Sequence, residues 1–560
     1  MDGFVQPLLT DLYQLTMCYG YWKAGKHRQR AVFDLFFRKN PFGGEYTVFC
    51  GLDDCLSLLE KFRFSTADVD YVRSVMPEGT DERFFAYLAS LDCSGLEIWA
   101  AKEGTVVFPR LPLISVAGPL ALCQLLETPL LNLVNFASLV CTNAVRFKLA
   151  AGKKIQLVEF GLRRAQGPNG AMTASKYCYV GGFHATSNVL AGKLFGIPVR
   201  GTMAHAFVGS FKDEELLEDR FVTDASSGAP VDLLSTARQK LDALVDSVDF
   251  GGALRSEVSA GELTAFCAYG VAFPRDFLAL VDTYDVVKSG LPNFCAVALA
   301  LHDAGYRAAG VRLDSGDLAY LSREARKIFQ QVAAKSVCNT HLRNRCWGTL
   351  FVVPFRFDVD WFGSLTIVAS NDINEKTITS LNEQKHQIDC FGVGTHLVTC
   401  QTQPALGCVY KLVELEGTAR IKLSQDVSKM TLPGRKRCYR LYGKSGTGIL
   451  DLMTRDDEPA PLAGRQILCR HPFEESRRAL AVPTRVEPLQ ELVFAEGKRT
   501  QMPPTDLEER RRRVADNVQK LRKDHRRCLN PTPYKVSLSE NLYSFLHQLW
   551  LQNAPIGQLE

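Results

Sequence analysis

Six short apolar runs between residues 155 and 395 each end in residues that can do chemistry. IQLVEF (155–160) is followed by Gly161-Leu162-Arg163-Arg164, and IPVR (197–200) by Gly201-Thr202-Met203-Ala204-His205. FLALV (277–281) ends in Asp282-Thr283-Tyr284-Asp285, and AAGVRL (308–313) in Asp314-Ser315-Gly316-Asp317. LTIVAS (365–370) ends in Asn371-Asp372, and CFGVG (390–394) in Thr395. Arg163, Arg164 and Arg312 can each fork onto a carboxylate or a phosphate. Gly392-Val393-Gly394-Thr395 offers bare backbone amides and a hydroxyl ahead of a helix, a suitable phosphate cradle. Asp282 and Asp314 can accept from ribose hydroxyls or hold Mg²⁺, and His205 stands in a glycine-opened loop just after a strand.

Each of these residues also has a plainer reading. The glycine run can be an ordinary strand-to-helix turn, and either aspartate can cap a helix. Arg312 lies inside an apolar run, so it needs a partner, which can be a structural carboxylate rather than a ligand. A lone histidine is more often structural than catalytic. The argument for chemistry is collective: six reactive endings follow one another in order.

The elements that must position these endings alternate. Short apolar runs are separated by helical patterns such as Leu318 to Ala334, with Leu321, Ala325, Ile328 and Val332 on one face. Such alternation predicts parallel strands with helical crossovers over residues 146–400. If the strands close into a barrel, all six endings gather on its active face. The flanks, 1–145 and 401–560, read as the two parts of a second, mixed α/β domain. In it, residues 407–424 form a hairpin around Glu416-Gly417, with more β-like segments near 437–454 and 485–495.

Bulk properties fit two packed domains. The chain has 560 residues, 46% hydrophobic and 23% charged, with a net charge of only +5. That charge neither requires nucleic acid nor excludes a small anion. The 17 cysteines include no CxxC pair, so neither a zinc ribbon nor a redox dithiol is indicated. Unpaired thiols and an N-terminus unlike a secretory signal point to the cytosol. The apolar region 111–140 is interrupted by Pro112, Pro119, Gln124, Glu127 and Pro129, and reads as buried helix rather than a membrane span. The basic stretch 507–527 reads as a solvated amphipathic helix, with Glu508–Arg512 and Glu509–Arg513 pairs and an apolar face of Leu507, Val514, Val518 and Leu521. A nucleic-acid arm is the less favoured reading. Nucleotide signatures are missing: no G-x-G-x-x-G opens a helix, and Gly443-Lys444-Ser445 lacks the upstream glycine of a P-loop.

Taken together, several strings resemble the nicotinate phosphoribosyltransferase family of animal and bacterial type. They are TDLYQLTM (10–17), DLFFRKNPFGG (34–44), VEFGLRRAQGPNG (158–170), FHATSNVLAG (183–192), GTMAHAFV (201–208), DTYD (282–285), GVRLDSGDL (310–318), SND (370–372) and FGVGT (391–395). The resemblance implies an irregular α/β barrel of the type II phosphoribosyltransferase kind, joined to a mixed domain and acting as a homodimer with shared sites. It implies transfer of phosphoribosyl from 5-phosphoribosyl-1-pyrophosphate to nicotinate, coupled to ATP hydrolysis, with Mg²⁺ or Mn²⁺. His205 would be transiently phosphorylated, and Tyr13 would stack on the pyridine ring, possibly that of a partner chain. Thr202, Arg163 and Arg312 would contact nicotinate. Thr395, Gly394, Gly392 and Asn371 would bind the phosphoribosyl pyrophosphate, and Asp282 and Asp314 would face the ribose or its metal, whose ligands stay unassigned.

The sequence departs from that pattern once. About 29 residues separate the helix ending near Lys335 from the run at 365, where connections typically have roughly 2–6. Residues 336–356 therefore read as an insertion, either a surface excursion or one that displaces the Asn371 and Thr395 endings. The rivals are a phosphoribosyltransferase using nicotinamide or quinolinate, and a catalytically idle homologue disturbed by the insertion.

Overall fold

A computed structural model describes residues 3–212, 217–334, 336–338, 354–356, 359–424, 429–500 and 506–554. The chain divides into two compact units. The first comprises Met1–Arg146, Ala165–Gly182 and Leu397–Glu560, and the second Phe147–Arg164 and Phe183–His396.

The first unit is mixed α/β and uses both ends of the chain. Its seven-stranded sheet centres on Arg30–Phe37, which pairs antiparallel with Cys408–Leu415 on one side and Ile114–Pro119 on the other. Seven of the eight residues of Arg30–Phe37 are buried, as a central strand covered on both faces requires. The expected hairpin forms: Glu414 and Leu415 face Ala419 and Thr418, and the turn residues Glu416 and Gly417 take φ values of +50° and +69°. A second, six-stranded sheet contains Lys436–Tyr442, Gly448–Arg455 and Arg485–Pro488. The apolar stretch becomes the helices Leu120–Leu125 and Glu127–Ala151. The span Leu120–Ala151 is long and apolar enough to cross a bilayer, but its most apolar window is 61% buried in the protein, as a core helix would be.

The basic C-terminal stretch forms the expected amphipathic helix, with one of its arginines buried. It spans Leu507–Gln519, and the Glu509–Arg513 pair is present at 2.6 Å. Glu508 instead accepts the Tyr179 hydroxyl. Arg510 is buried, with its guanidinium 3.2 Å from Asp53 and 3.5 Å from Glu103. This helix is thus held by an internal cation as well as by Val514 and Val518.

The second unit carries the alternating elements. Its six-stranded sheet runs Leu278–Leu280, Gly310–Leu313, Thr366–Ala369, Cys390–Val393, Gln156–Glu159, Ala185–Thr186, with every neighbouring pair parallel. That order is the chain order turned in a circle, with the last strand in sequence beside the first. Such a return is how a barrel closes. The circle is irregular because the run expected as a strand at 197–202 contributes only an isolated bridge, Thr186 to Val199. The fold is therefore an irregular α/β barrel with a second mixed α/β unit. The crossover helix Leu318–Ala334 buries Ala325, Ile328 and Val332, as its spacing predicts.

Most of the expected insertion at 336–356 lies outside the described residues. Its two ends, Ser336–Cys338 and Pro354–Arg356, pair antiparallel. The strands beyond it pair in parallel, Gly310 opposite Thr366 and Val368 opposite Cys390.

Candidate active site

Parallel strands place their C-terminal ends on one face, and in the second unit the reactive side chains meet there. His205 opens the short helix His205–Gly209. Its Nδ1 lies 3.1 Å from the Thr283 hydroxyl and its Nε2 3.8 Å from an Asp314 carboxylate oxygen. The side chain is 46% exposed, so the ring is oriented by the protein yet open to a ligand. Arg312 donates from Nη1 to the Thr202 hydroxyl at 2.7 Å, and its Nη2 lies 3.8 Å from Asp314. Its Nε is buried without a hydrogen-bond partner. Burial depresses the guanidinium pKa, Asp314 and Asp282 oppose that, and Arg163 adds to it. Arg163 itself is exposed on the 3₁₀ turn Leu162–Arg164, close enough for its charge to be felt at Arg312. A partly buried cation with an idle donor and a second arginine nearby is well suited to an anion.

The two aspartates do not cap helices. Asp282 is buried and accepts from the Asp314 backbone N–H at 3.2 Å and the Ser315 hydroxyl at 2.5 Å. Its other oxygen has no partner. Asp314 accepts the Ser370 hydroxyl. Helix starts are served by their neighbours: Asp317 takes the Tyr320 N–H at 2.9 Å and Asp285 the Lys288 N–H at 2.7 Å. Asn371 and Asp372, just after Ser370, hold φ values of +91° and +47°. Two consecutive non-glycine residues in that region are strained, as is common where a turn must present groups to a ligand.

The glycine run divides in two. Gly392 lies within the strand Cys390–Val393, and a Cβ built on it would stand 2.4 Å from the Phe160 ring. Its small size is thus demanded by packing, whatever its backbone does. At Gly394 the same construction meets only ordinary contacts, at 3.5 Å from the Phe160 carbonyl oxygen. Thr395 follows at the start of the single turn Thr395–Val398, partly buried. Gly392→Ala is expected to lower stability by about 1–3 kcal/mol, the usual cost of overpacking. Adding Phe160→Leu should restore part of the denaturation midpoint; no recovery would mean that the ring is not the obstacle.

Tyr13 belongs to the first unit, on the helix Leu12–Lys23, and the residue is 47% exposed. The residues not singled out from sequence are mostly hydroxyls: Thr283, Ser315 and Ser370, each adjacent to a named residue. Glu159 is a further one. It is buried at its strand end, accepting the Thr186 hydroxyl at 2.5 Å and the Gly161 N–H. A carboxylate inside the apolar run IQLVEF carried the same signal as Arg312, a charge that needs a partner. No group of three or more His, Cys, Asp or Glu side chains able to hold a metal occurs among the described residues.

The chain has close relatives of known identity. A family model described as the nicotinate phosphoribosyltransferase N-terminal domain matches residues 8–135, and one described as the C-terminal domain matches 435–546. The nicotinate phosphoribosyltransferase of Caenorhabditis elegans is 57% identical over 560 residues, covering 100% of this chain and 96% of that protein. The human protein of the same name is 45% identical, covering 98% of each. The crystal structure of human nicotinic acid phosphoribosyltransferase superposes with a TM-score of 0.84 at 44% identity, over 96% of this chain and 99% of that one. A nicotinate-nucleotide pyrophosphorylase from Pyrococcus furiosus shares the fold at a TM-score of 0.57 and 20% identity.

Proposed function

The chain belongs to the nicotinate phosphoribosyltransferase family, and on that premise we propose that its site joins nicotinate to 5-phosphoribosyl-1-pyrophosphate and couples the transfer to ATP through His205. The products are nicotinate mononucleotide and pyrophosphate, which makes the reaction an entry step of NAD synthesis. The observation that carries the reading is the group around Arg312: a partly buried guanidinium bonded to Thr202, with an unused donor, on a strand paired with the one that leads into Asp282 and two residues before Asp314.

In the transfer, the pyridine nitrogen attacks C1 of the ribose. The N–C bond forms, the C–O bond to pyrophosphate breaks, and the leaving pyrophosphate takes the electron pair. The attacking nitrogen carries no proton, so no strong general base is needed. The work is orientation and charge stabilisation. Arg312, with Arg163 and Thr202, receives the nicotinate carboxylate, and the exposed Tyr13 ring suits stacking on a pyridine, with its copy on a partner chain included. Gly394, Thr395, Asn371 and the backbone at Gly392 receive the sugar phosphate. Asp282 and Asp314 face the ribose or the divalent metal, Mg²⁺ or Mn²⁺, that accompanies the pyrophosphate. The unpartnered Asp282 oxygen fits either role, and a metal of this kind takes most of its ligands from phosphate and water. When bound, it neutralises charge on the pyrophosphate.

His205 Nε2 takes the γ-phosphoryl group of ATP, the N–P bond forming as the P–O bond to ADP breaks and ADP leaves with the electron pair, and water later cleaves N–P to release phosphate. Nδ1–H donates to Thr283, the tautomer that leaves the Nε2 lone pair free. The phosphorylated ring adds negative charge beside the site. A homodimer is supported by the exposed apolar side chains Val189, Leu190, Leu194 and Val199. Every described cysteine is a free thiol, as a reducing cytosol would keep it.

A substrate panel tests the reading. Pyrophosphate release should occur with nicotinate and be far weaker with nicotinamide, which lacks the carboxylate, and with quinolinate, which carries two. Equal rates with nicotinamide would reject the assigned role of Arg312, and no release with any pyridine would identify an idle homologue.

A further inference from the structure

Behind the Asp282–Asp285 loop lies a carboxyl group that no step above uses. Glu262, on the helix Ala260–Ala272, is fully buried. One of its oxygens accepts from the Ser289 hydroxyl at 2.6 Å and from Asn293 Nδ2 at 3.1 Å, and the other is buried without a partner. Among the described residues neither a lysine nor an arginine is paired with it. A carboxylate left in this state is expensive, whereas the protonated acid is much less so.

What Glu262 holds is the π-helical turn Val286–Gly290, a rare conformation that often accompanies functional sites. Ser289 and Gly290 both donate backbone N–H to the Asp285 carbonyl, at 3.0 and 2.8 Å. A Cβ on Gly290 would stand 2.0 Å from the Val281 carbonyl oxygen, so this turn presses directly on the strand end that launches the loop. Ser289 also accepts from the Ser259 N–H, and Asn293 donates to the Ser259 carbonyl. The loop thus clamped carries Asp282 and Thr283, the partner of His205.

We propose that Glu262 is a positioning residue: by accepting from Ser289 and Asn293 it holds the π-helical turn beneath Asp282 and Thr283 and so keeps the histidine partner in place, and a charge on it disturbs that loop by repelling Asp282 and Asp285. The inference rests on reading the Asp282–Thr283 loop as part of the active site.

The charged neighbours agree with a neutral acid. Burial pushes the Glu262 carboxyl up to about 7, and Asp282 and Asp285, both on the loop, push it the same way. Lys288, on the π-helical turn, is engaged by Glu257 at 2.8 Å. From the helix Leu291–Asp303 the facing group is the neutral Asn293. On the helix Leu233–Val245, Arg238 makes its charge felt at Cys267, further along the glutamate's own helix. On the helix His205–Gly209, His205 is turned to Thr283. An acid raised in the folded state and ordinary in the unfolded one stabilises the fold most below the unfolded value of 4.5, and that contribution is lost as pH rises through about 7. Above that pH the new charge also repels Asp282 and Asp285.

The test is the pH profile of the full-length enzyme between pH 5.5 and 9. The kcat of the wild type should fall with a one-proton inflection near 7, and Glu262→Gln, a neutral isostere, should lose that inflection. Ser289→Ala removes a hydrogen bond that lowers the carboxyl pKa, so it should move the inflection upward. The thermal midpoint of the wild type should decline from about pH 5 to 7 more steeply than that of Glu262→Gln. An unshifted inflection in both variants would overturn the proposal, as would a Glu262→Gln enzyme that folds but is inactive at every pH. Asp282→Asn separates the two levels. If it leaves kcat intact, the site reading itself fails; if it lowers kcat while Glu262→Gln keeps the wild-type inflection, only the positioning role fails.

Discussion

His205→Ala should abolish the stimulation of transfer by ATP and lower the coupled rate by about 10²–10³-fold, the scale on which a single preorganised electrostatic contribution acts. The geometry makes this expectation specific. Nδ1 is held by Thr283 at 3.1 Å, Nε2 lies 3.8 Å from Asp314, and the side chain is 46% exposed, which is how a nucleophile is oriented without being enclosed. A residue acting as general base would instead have to reach a proton on the attacking atom, and the pyridine nitrogen has none. Incubation with γ-labelled ATP should leave on the wild type an acid-labile label, as expected of a phosphorus–nitrogen bond, and none on His205→Ala. The uncoupled, ATP-independent transfer should survive in the variant, because Arg312, Asp282 and the phosphate loop remain. Undiminished ATP stimulation in a well-folded His205→Ala enzyme would remove the residue from the mechanism.

Much of this site was legible before any coordinates, because two signals survive in sequence alone. The first is order: apolar runs alternating with helical patterns imply parallel strands, and their ends then share a face. The second is a charge in the wrong place, as with Arg312 inside AAGVRL. What escaped did so for physical reasons. A strand of two residues, Ala185–Thr186, has no period to read, and IPVRGT is apolar enough for a strand but pairs at one position only. Hydroxyls such as Thr283 and Ser370 look like ordinary turn residues until the fold sets them against His205 and Asp314. Gly392 invited a ligand-facing reading, yet its missing side chain makes room for Phe160, a residue distant in sequence. In the basic stretch the apolar face of Leu507, Val514, Val518 and Leu521 skips one helical turn. Arg510 fills that turn, and it is the arginine that is buried. A charged residue on the apolar stripe of a helix is itself evidence of an internal partner, here Asp53 and Glu103.

The second large effect belongs to Arg312, and it concerns choice of substrate rather than rate. Arg312→Ala should raise the KM for nicotinate by about 10–10²-fold, since a hydrogen bond between charged groups is worth about 1.5–3 kcal/mol. Nicotinamide offers no carboxylate, so its kcat/KM should change far less, and the ratio between the two substrates should collapse. Arg312→Lys should not restore it. The guanidinium uses one nitrogen on Thr202 and keeps others for the ligand, whereas an ammonium is a single point that cannot hold both in a plane. The loss must be separated from damage to the fold, because a partly buried cation beside Asp314 and Asp282 also balances their charge. That balance affects both pyridines alike, so the substrate ratio is insensitive to it while the carboxylate contact is not. A ratio unchanged in Arg312→Ala, with the thermal midpoint preserved, would assign the nicotinate carboxylate elsewhere, and the exposed Arg163 would be the next residue to substitute.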